Sequence, residues 1–141
     1  MAEAIPSSIR LIVVTRERKI LDEQVEEVVL PGWEGALGIL PGHTPLLALL
    51  RIGELAYRTG GHSTRLAISW GLAEVLPDRV IVLCEGAYLS GEIDVEEAER
   101  ERLEAEKELA SLASHDEAFL IAQAKLEESI AKIRVVRGGP F

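Results

Sequence analysis

A glycine- and proline-rich run from Leu30 to Leu47 constrains the fold of this chain more than any other segment. Its sequence is Leu-Pro-Gly-Trp-Glu-Gly-Ala-Leu-Gly-Ile-Leu-Pro-Gly-His-Thr-Pro-Leu-Leu, with four glycines and three prolines among apolar residues. Glycine permits positive φ and close approach of backbones, and proline fixes φ and removes an N–H donor. The run therefore predicts short strand edges joined by stiff turns. Its only ionisable groups, Glu34 and His43, are too few for a catalytic constellation.

Short β-prone runs separated by Gly, Pro, Asp or Ser fill the chain up to Gly91. Two hairpins are predicted, one turning at residues 59–62 between Tyr57 and Ala67, and one turning at Pro77-Asp78. So many short strands with turn signals indicate a β-sandwich or a barrel. The runs predicted as strands are Ile9–Thr15, Val25–Leu30, Leu46–Leu50, Glu54–Arg58, Leu66–Ser69, Leu72–Leu76 and Arg79–Cys84.

The pattern changes to that of helices after Gly91. Asp94 is the predicted N-cap of a first helix that extends to Leu112, and Glu97 is placed to complete a capping box. Ser114-His115-Asp116 interrupts this helix, and a second helix follows and ends before Gly138-Gly139-Pro140. Two amphipathic helices with a short connection predict an antiparallel hairpin. The apolar faces are predicted to contain Val95, Ala98, Ala105, Leu109 and Leu112 in the first helix, and Phe119, Ala122, Leu126, Ile130 and Ile133 in the second.

The hairpin is thinly apolar and strongly charged. Small alanines supply much of its seam, so we expect it to be only marginally stable by itself. Residues 94–108 hold eight acidic and three basic groups, which is more than half of the net charge of −9. This anatomy fits a movable arm, and it fits equally a lid packed permanently on the sandwich.

Composition narrows the function classes. A net charge of −9 argues against general nucleic-acid binding, which uses clustered Lys and Arg. The longest aliphatic stretch, Leu46 to Leu50, is far shorter than the about 20 residues of a membrane-spanning helix. Because Met1-Ala2-Glu3 also does not begin a signal peptide, we expect a cytoplasmic protein. The single Cys84 is predicted to be a core thiol.

The search for chemistry gives no catalytic residue, cofactor site or metal site. His43, His62 and His115 are scattered over three different segments, so their spacing does not suit metal binding. Ser69-Trp70-Gly71 lacks the glycine-flanked nucleophile elbow of hydrolases, and the sequence contains no Walker-type phosphate loop. None of these residue patterns therefore supports an enzyme.

Several segments together resemble the ε subunit of bacterial F-type ATP synthase. The specific part is Gly38-Ile39-Leu40-Pro41-Gly42-His43-Thr44-Pro45-Leu46-Leu47. Other matching segments are Leu11 to Thr15, Val28 to Gly32, Gly53, Gly71 to Val75, Val80 to Leu83 and Glu92 to Asp94. The resemblance implies a ten-stranded β-sandwich over residues 1–91 and an antiparallel two-helix hairpin over residues 92–141. It also implies a non-catalytic rotor subunit of the central stalk, which couples the γ subunit to the c ring.

The resemblance also assigns the interaction residues. The segment Trp33, Glu34, Gly35, Ala36 and Gly38 is expected to lie towards the c ring, and Pro41, Gly42 and His43 at the γ contact. For His43 a second interpretation stays open, that of a hydrogen-bonded histidine that merely fixes its turn. As part of the complex, the chain is expected at the cytoplasmic face of the inner membrane, peripheral and without insertion.

In the family, the hairpin can extend and inhibit ATP hydrolysis through basic residues that meet the catalytic subunits. The candidates here are Arg100, Arg102, Lys132 and Arg134. Arg134 is the strongest, because it follows the apolar stripe of the second helix in a neutral stretch. The contact with the α and β subunits is expected to be transient, and the acidic first helix is expected to weaken it.

Some relatives bind ATP between the two helices through an Ile/Leu-Asp-x-x-Arg-Ala motif, and this sequence departs from that motif. Asp94 is present, but Glu97 stands at the arginine position, and Ala118 and Ile121 replace the aspartate and arginine of the second helix. Without a bidentate arginine, nucleotide binding is expected to be weak or absent.

A competing prediction from another class is a free-standing β-sandwich that binds a small ligand or carbohydrate, with the helices as a lid. It requires a deep pocket. Two Trp, two Tyr and two Phe in 141 residues leave little surface for sugar stacking, so the composition favours the stalk subunit.

Overall fold

The structure is a computed structural model that describes residues 5–138. The expectations drawn from Met1-Ala2-Glu3 and Gly139-Pro140 lie outside those residues. Within the described range, eight strands precede a short 3-10 turn, Ser90–Glu92, and two helices, α1 (Val95–Ser111) and α2 (Glu117–Arg137). The strands are β1 (Ile9–Thr15), β2 (Lys19–Val25), β3 (Glu27–Gly32), β4 (Gly35–Ile39), β5 (Leu46–Leu50), β6 (Gly53–Thr59), β7 (His62–Leu76) and β8 (Arg79–Leu89).

The strands wrap around one apolar core as a sandwich. They pair in the order β2-β1-β8-β7-β5-β3-β4, while β6 pairs with both β3 and β7. All of these pairs are antiparallel except β1 with β8. Alternate residues of each strand point inward, so the core takes one face of every strand. Its fully buried large side chains include Ile9, Leu11, Leu30, Ile39, Leu55, Leu66 and Ile68.

Both predicted hairpins are confirmed. Thr59 pairs with His62 across Gly60-Gly61, and Leu76 pairs with Arg79 across Pro77-Asp78. Five of the seven predicted strands lie inside or on an observed strand with small shifts at their ends. The remaining two, Leu66–Ser69 and Leu72–Leu76, are parts of one strand.

The expectation of ten strands is wrong, because the structure has eight in the described residues. β7 is 15 residues long and continues through Trp70-Gly71, which separates the two strands predicted from the sequence. Its first half pairs with β6 and its second half with β5, so one long strand serves both parts of the sandwich. Gly71 is not a turn residue here. A Cβ at that position would clash with the carbonyl oxygen of Leu83, so the glycine permits close approach of β7 and β8.

The sequence analysis did not predict β2 or β4. β2 carries a polar run on its exposed side, where Asp22 pairs with Arg10 of β1 at 2.8 Å. β4 forms a hairpin with β3 in which Gly32 pairs with Gly35. A Cβ on Gly32 would lie 2.6 Å from the Gly35 carbonyl oxygen, so backbone geometry, and not β-propensity, determines this hairpin.

The predicted helix start is confirmed by its cap. The Asp94 carboxylate accepts hydrogen bonds from the backbone N–H groups of Glu96 (3.0 Å) and Glu97 (3.2 Å). α2 ends at Arg137 and is followed by Gly138, which adopts φ of 73°, a conformation that favours glycine. None of the described helices is long and apolar enough to cross a membrane.

α2 lies between α1 and the sandwich. Arg137 at its end pairs with Glu99 near the start of α1 at 2.9 Å. On its other side, Ala131 and Val135 pack with Ala67 of β7. Because α2 is covered on two sides, it needs small and apolar residues on both sides. Its buried residues therefore extend around more of the helix than the single apolar face that was predicted. These buried residues are Ala122, Ser129, Ala131, Ile133 and Val135.

Candidate interaction surfaces

The outer side of the sheet formed by β1, β8, β7 and β5 carries a group of apolar side chains that are exposed or half-buried among residues 5–138. Strand register places Val14, Leu83, Leu72 and Leu49 side by side in one row across the four strands. A second row places Ile12, Ile81, Glu74 and Leu47 beside it. We call the apolar members of these rows the apolar sheet face: Ile12, Val14, Leu47, Leu49, Leu72, Ile81 and Leu83.

The exposure of this face is unusual for a protein that acts alone. Leu47 is 63% exposed, Leu49 64% and Leu83 52%. Scattered apolar side chains are normal on a surface, but contiguous apolar patches mark interaction sites. The sequence analysis missed this surface. A usable signal was present, because Leu46–Leu50 and Val80–Cys84 are continuously apolar where a half-buried strand would alternate.

The Trp33-Glu34 turn adjoins the apolar sheet face. Trp33 is 60% exposed, and the Arg51 guanidinium lies 6.0 Å from the centre of its ring. A groove of about 550 Å³ runs between this turn, β4 and β5, and it shares Leu47 and Leu49 with the apolar sheet face. The other predicted residues of this segment, Gly35, Ala36 and Gly38, lie exposed on β4.

The second predicted segment, Pro41-Gly42-His43, is a turn that leads into β5. The Gly42 N–H donates to the Pro77 carbonyl at 2.8 Å. The His43 ring contacts its own turn, where Nδ1 lies 2.6 Å from the Thr44 carbonyl oxygen and donates to it. This bond is the geometry expected of a histidine that fixes its turn, and His43 is half-buried.

The structure separates the four predicted cations of the hairpin into two pairs. Arg102 is engaged within α1, with Glu99 at 2.8 Å and Glu106 at 2.9 Å. Lys132 is also engaged and only 15% exposed at its side chain. Arg100 and Arg134 are exposed. Arg134 lines a groove of about 360 Å³ at the end of α2 that also contains Arg51, Glu54 and Glu127.

A polar cluster joins the hairpin to the sandwich, and the sequence analysis did not predict it. Ser69 of β7 is 5% exposed, and its hydroxyl donates to the Glu128 carboxylate of α2 at 2.5 Å. Lys132 lies 3.4 Å from Glu128 and 4.3 Å from the centre of the Tyr88 ring. Burial raises the pKa of Tyr88, and the nearby Glu128 charge raises it further. We call Ser69, Tyr88, Glu128 and Lys132 the interface cluster.

The residues at the positions of the family's nucleotide-binding motif either cap a helix or are exposed in this chain. Asp94 uses its carboxylate to cap α1, and Glu97, Ala118 and Ile121 are exposed. The cleft between the helices has a volume of about 300 Å³. Its ionisable lining consists of Lys125 and four carboxylates, from Glu101, Glu104, Glu108 and Glu128. Such a lining repels a polyphosphate.

Neither cysteine nor metal chemistry is indicated in the described part of the chain. Cys84 is buried, and burial together with the neighbouring Glu85 raises the pKa of its thiol to about 11. A thiol in this state is protonated at neutral pH and a poor nucleophile. Within residues 5–138, no three His, Cys, Asp or Glu side chains are grouped so that they could hold a metal ion.

Comparison with protein families gives two adjoining matches that together span most of the chain. Residues 8–90 match the family described as ATP synthase, Delta/Epsilon chain, beta-sandwich domain. Residues 92–137 match the one described as ATP synthase, Delta/Epsilon chain, long alpha-helix domain.

Individual relatives agree with these families. The ATP synthase epsilon chain of Syntrophobacter fumaroxidans is 46% identical over 127 residues, which cover 90% of this chain and 94% of that protein. The epsilon chain of Trichlorobacter lovleyi is 42% identical over 126 residues, with 89% and 91% covered. These similarities favour the stalk subunit over the free-standing binding module.

Two solved structures share the fold. A chain in the cryo-EM structure of the Euglena gracilis mitochondrial ATP synthase, OSCP/F1/c-ring in rotational state 1, has a TM-score of 0.79 and 28% identity, over 92% of this chain and 81% of that chain. A chain in the central stalk and c ring of the Tetrahymena thermophila mitochondrial enzyme has a TM-score of 0.56 and 14% identity, over 92% and 93%. The second likeness shows the fold alone.

Proposed function

The chain belongs to the delta/epsilon-chain family of ATP synthases, and from this premise we propose that it is a non-catalytic subunit of the central stalk that couples the γ subunit to the c ring. It works at the cytoplasmic face of the inner membrane, as a peripheral part of the complex. The observation that carries this proposal is the apolar sheet face, whose side chains are exposed or half-buried among the described residues. Family membership supplies the partner class that this face fits.

The γ subunit is the proposed partner of the apolar sheet face. A fixed apolar surface with few charges suits a permanent contact, because the core of such interfaces is depleted in charged residues. The turn Pro41-Gly42-His43 leads directly into β5, so it belongs to the same contact. The adjoining Trp33-Glu34 turn and the exposed part of β4 are the proposed contact with the c ring.

The hairpin is the proposed regulatory part, residues 92–141, attached to the coupling part, residues 1–91. Its two helices are antiparallel, which accords with the pairing of Arg137 with Glu99. Arg134 and Arg100 are exposed and available to the acidic surface of a catalytic subunit. Lys132 is covered by Tyr88 of the sandwich and would lose that cover if the hairpin left it. The predicted effect is a transient restraint on ATP hydrolysis.

Nucleotide is not a proposed ligand. The carboxylate-rich cleft between the helices and the absence of arginine at positions 97 and 121 both act against phosphate binding. We expect calorimetry to detect no ATP binding in the submillimolar range, and a submillimolar dissociation constant would contradict this expectation.

The docking proposal is tested with full-length variants of the apolar sheet face. Leu49→Glu combined with Leu83→Glu places two charges in the centre of the face, and burying them against γ without partners is costly. We expect affinity for an assembly of α, β and γ subunits to fall at least about 100-fold. Leu103→Glu is the matched control, because Leu103 is equally exposed (50%) but lies on α1. Unchanged binding of the double variant would exclude this face as the γ contact.

The regulatory proposal is tested by ATP hydrolysis. The same assembly is measured without the chain, with the full chain, and with a chain truncated after Gly91 whose folding is checked by circular dichroism. Inhibition by the full chain alone is the expected result. Arg134→Ala is expected to reduce inhibition, and Lys107→Ala, an exposed cation of α1, is the control. Equal hydrolysis with the full and truncated chains would restrict the subunit to coupling.

A further inference from the structure

The contact between α2 and the sandwich combines a small apolar area with a specific polar cluster. The apolar part consists of Ala67, Ala131 and Val135, with Tyr88 and Ile93 at its margin. Alanine and valine side chains bury little area, and the free energy of burial is proportional to area. The apolar contact of this cluster is therefore small, so a polar interaction of specific geometry can contribute substantially to the position of α2.

Glu128 is placed to supply that interaction. Its carboxylate accepts the short hydrogen bond from Ser69, a 5% exposed hydroxyl in β7. Hydrogen bonds to an ionised acceptor are shorter and stronger than neutral ones. On its other side the same carboxylate faces the Lys132 ammonium, which lies over the Tyr88 ring of β8. Glu128 thus connects α2 to two strands of the sandwich, directly and through Lys132.

The other ion pairs of the hairpin do not have this role. Arg102 pairs with Glu99 and Glu106 inside α1, and Arg137 pairs with Glu99 between the helices. These pairs would move with the hairpin if it left the sandwich as a unit. The pair Arg18–Glu92 ends at the 3-10 turn, before α1 begins.

We propose that Glu128 is a latch residue that holds the hairpin on the sandwich through Ser69 and through Lys132 on Tyr88. The inference deepens the regulatory role and so rests on the proposed function. In this arrangement Tyr88 covers Lys132 while the latch is closed, and Lys132 loses that cover when the hairpin leaves the sandwich. Its ion pairs with Glu128 and Glu101 move with the hairpin. The contact thereby links the position of the hairpin to the exposure of Lys132 towards an acidic surface.

If Glu128 acts as the latch, replacing it should accelerate hydrogen exchange of particular backbone amides. In Glu128→Ala the helix keeps its propensity, because alanine is the best helix former, but the polar contact is lost. We expect amide hydrogen exchange in α2 of the isolated full chain to become about tenfold faster, with exchange in β1 and β8 unchanged. Glu127→Ala is the matched control, since Glu127 is the preceding residue of α2 but lines the groove near Arg51 and Arg134.

A second variant acts from the other side of the contact. Ser69→Ala leaves the sequence of α2 intact and removes the donor, so it is expected to accelerate exchange in α2 as well. The double variant is expected to exceed Glu128→Ala little, because both substitutions break the same bond. Glu128→Gln, which keeps an acceptor for Ser69 but loses the charge, is expected to lie between Glu128→Ala and the parent.

Trp70 provides an independent signal, because it lines the same cleft as Ile121 and Lys125 of α2. In a Trp33→Phe background its fluorescence is expected to shift to longer wavelength in Glu128→Ala and not in Glu127→Ala. Exchange and fluorescence that are the same in Glu128→Ala and Glu127→Ala, or a Ser69→Ala variant without effect, would overturn the latch. Both measurements use the chain without other subunits, so their failure leaves the docking test and the stalk role unaffected.

Discussion

The sandwich and the hairpin of this chain are built by different physical means. The sandwich buries large aliphatic side chains completely, such as Leu11, Leu30 and Leu66, each 0% exposed. In the hairpin the buried residues of α1 are two alanines, Ala98 and Ala105. The first body is stabilised by apolar area, and the second by small contacts, helix caps and ion pairs. One chain can therefore combine a rigid body with a part that is able to move.

The ion pairs of the hairpin do not compensate for its smaller buried apolar area. Arg102 and its partners Glu99 and Glu106 remain partly exposed, and exposed helical ion pairs contribute little to stability. The hydrogen bond from Arg102, and to a lesser degree its charge, lowers the pKa of Glu99, so the pair is fully ionised at neutral pH. Salt screens such pairs but leaves apolar burial largely unchanged. We therefore expect the hairpin to be the region that solution conditions and partners shift.

The largest predicted effect breaks the sandwich. Leu66→Ala removes a fully buried side chain of β7, and the cavity should lower the free energy of unfolding by about 2–5 kcal/mol. The midpoint of urea denaturation measures it, and both regions should unfold earlier because the hairpin rests on the sandwich. Leu103→Ala, at an exposed position of α1, should change the midpoint little. A Leu66→Ala variant as stable as the parent would refute the role of this core.

A smaller effect is expected from forcing the helices apart. Ala105 is 2% exposed on α1 and lines the cleft that Lys125 and Glu128 of α2 also line. Ala105→Leu should overpack this seam by about 1–3 kcal/mol and raise hydrogen exchange in α1 and α2 without changing it in β1. Ala110→Leu adds the same side chain at an exposed position and serves as control. If exchange rose equally in β1, the two regions would not be separable.

The hairpin turns could be predicted from the sequence, but the full extent of the strands could not. Turns at Gly60-Gly61 and Pro77-Asp78 have local chemistry, so both hairpins were found. The continuity of β7 through Gly71 was missed because only the neighbouring strand shows why a glycine is needed there. β2 was missed because its polar residues are paired across strands, which residue preferences do not reveal.

The next largest effect is expected from removing the N-cap of α1. The Asp94 carboxylate accepts hydrogen bonds from two backbone N–H groups. Because Asp94→Ala removes both bonds, it should destabilise the hairpin by about 1 kcal/mol. Asp94→Asn should retain most of the stability, since asparagine is an equally good N-cap. Hydrogen exchange over residues 95–100 measures the difference. Equal exchange in the alanine and asparagine variants would show that the cap contributes nothing.

The smallest effect is expected from removing the ion pairs of Asp22 on the surface of the sandwich, and this effect depends on pH. Hydrogen bonds from Arg10 and Lys19 hold the pKa of Asp22 well below its usual range. A lowered native pKa stabilises the fold above the unfolded pKa of about 3.9, and this contribution is lost as the pH falls through the native pKa. Asp22→Asn should therefore lower the urea midpoint slightly at pH 7 and less at pH 3. A difference that grew towards acid would contradict this assignment.

The proposed interaction surfaces were predictable from the sequence only in part, for a related reason. The segments Trp33 to Gly38 and Pro41 to His43 stood out because glycine and proline mark them locally. The apolar sheet face needs the register of four strands before Leu49, Leu72 and Leu83 become neighbours. The bond between Ser69 and Glu128 joins residues 59 positions apart, and neither residue carries a signal of its own.

Native-state hydrogen exchange of the full chain tests the central claim most directly, namely that a movable hairpin is attached to a rigid sandwich. The account predicts that amides of α1 and α2 exchange through partial opening, at a free energy clearly below that of β1, β7 and β8, which open only with global unfolding. If the helices and the strands exchanged with one common free energy, the hairpin would be a permanent part of a single body, and its role as a movable arm would be wrong.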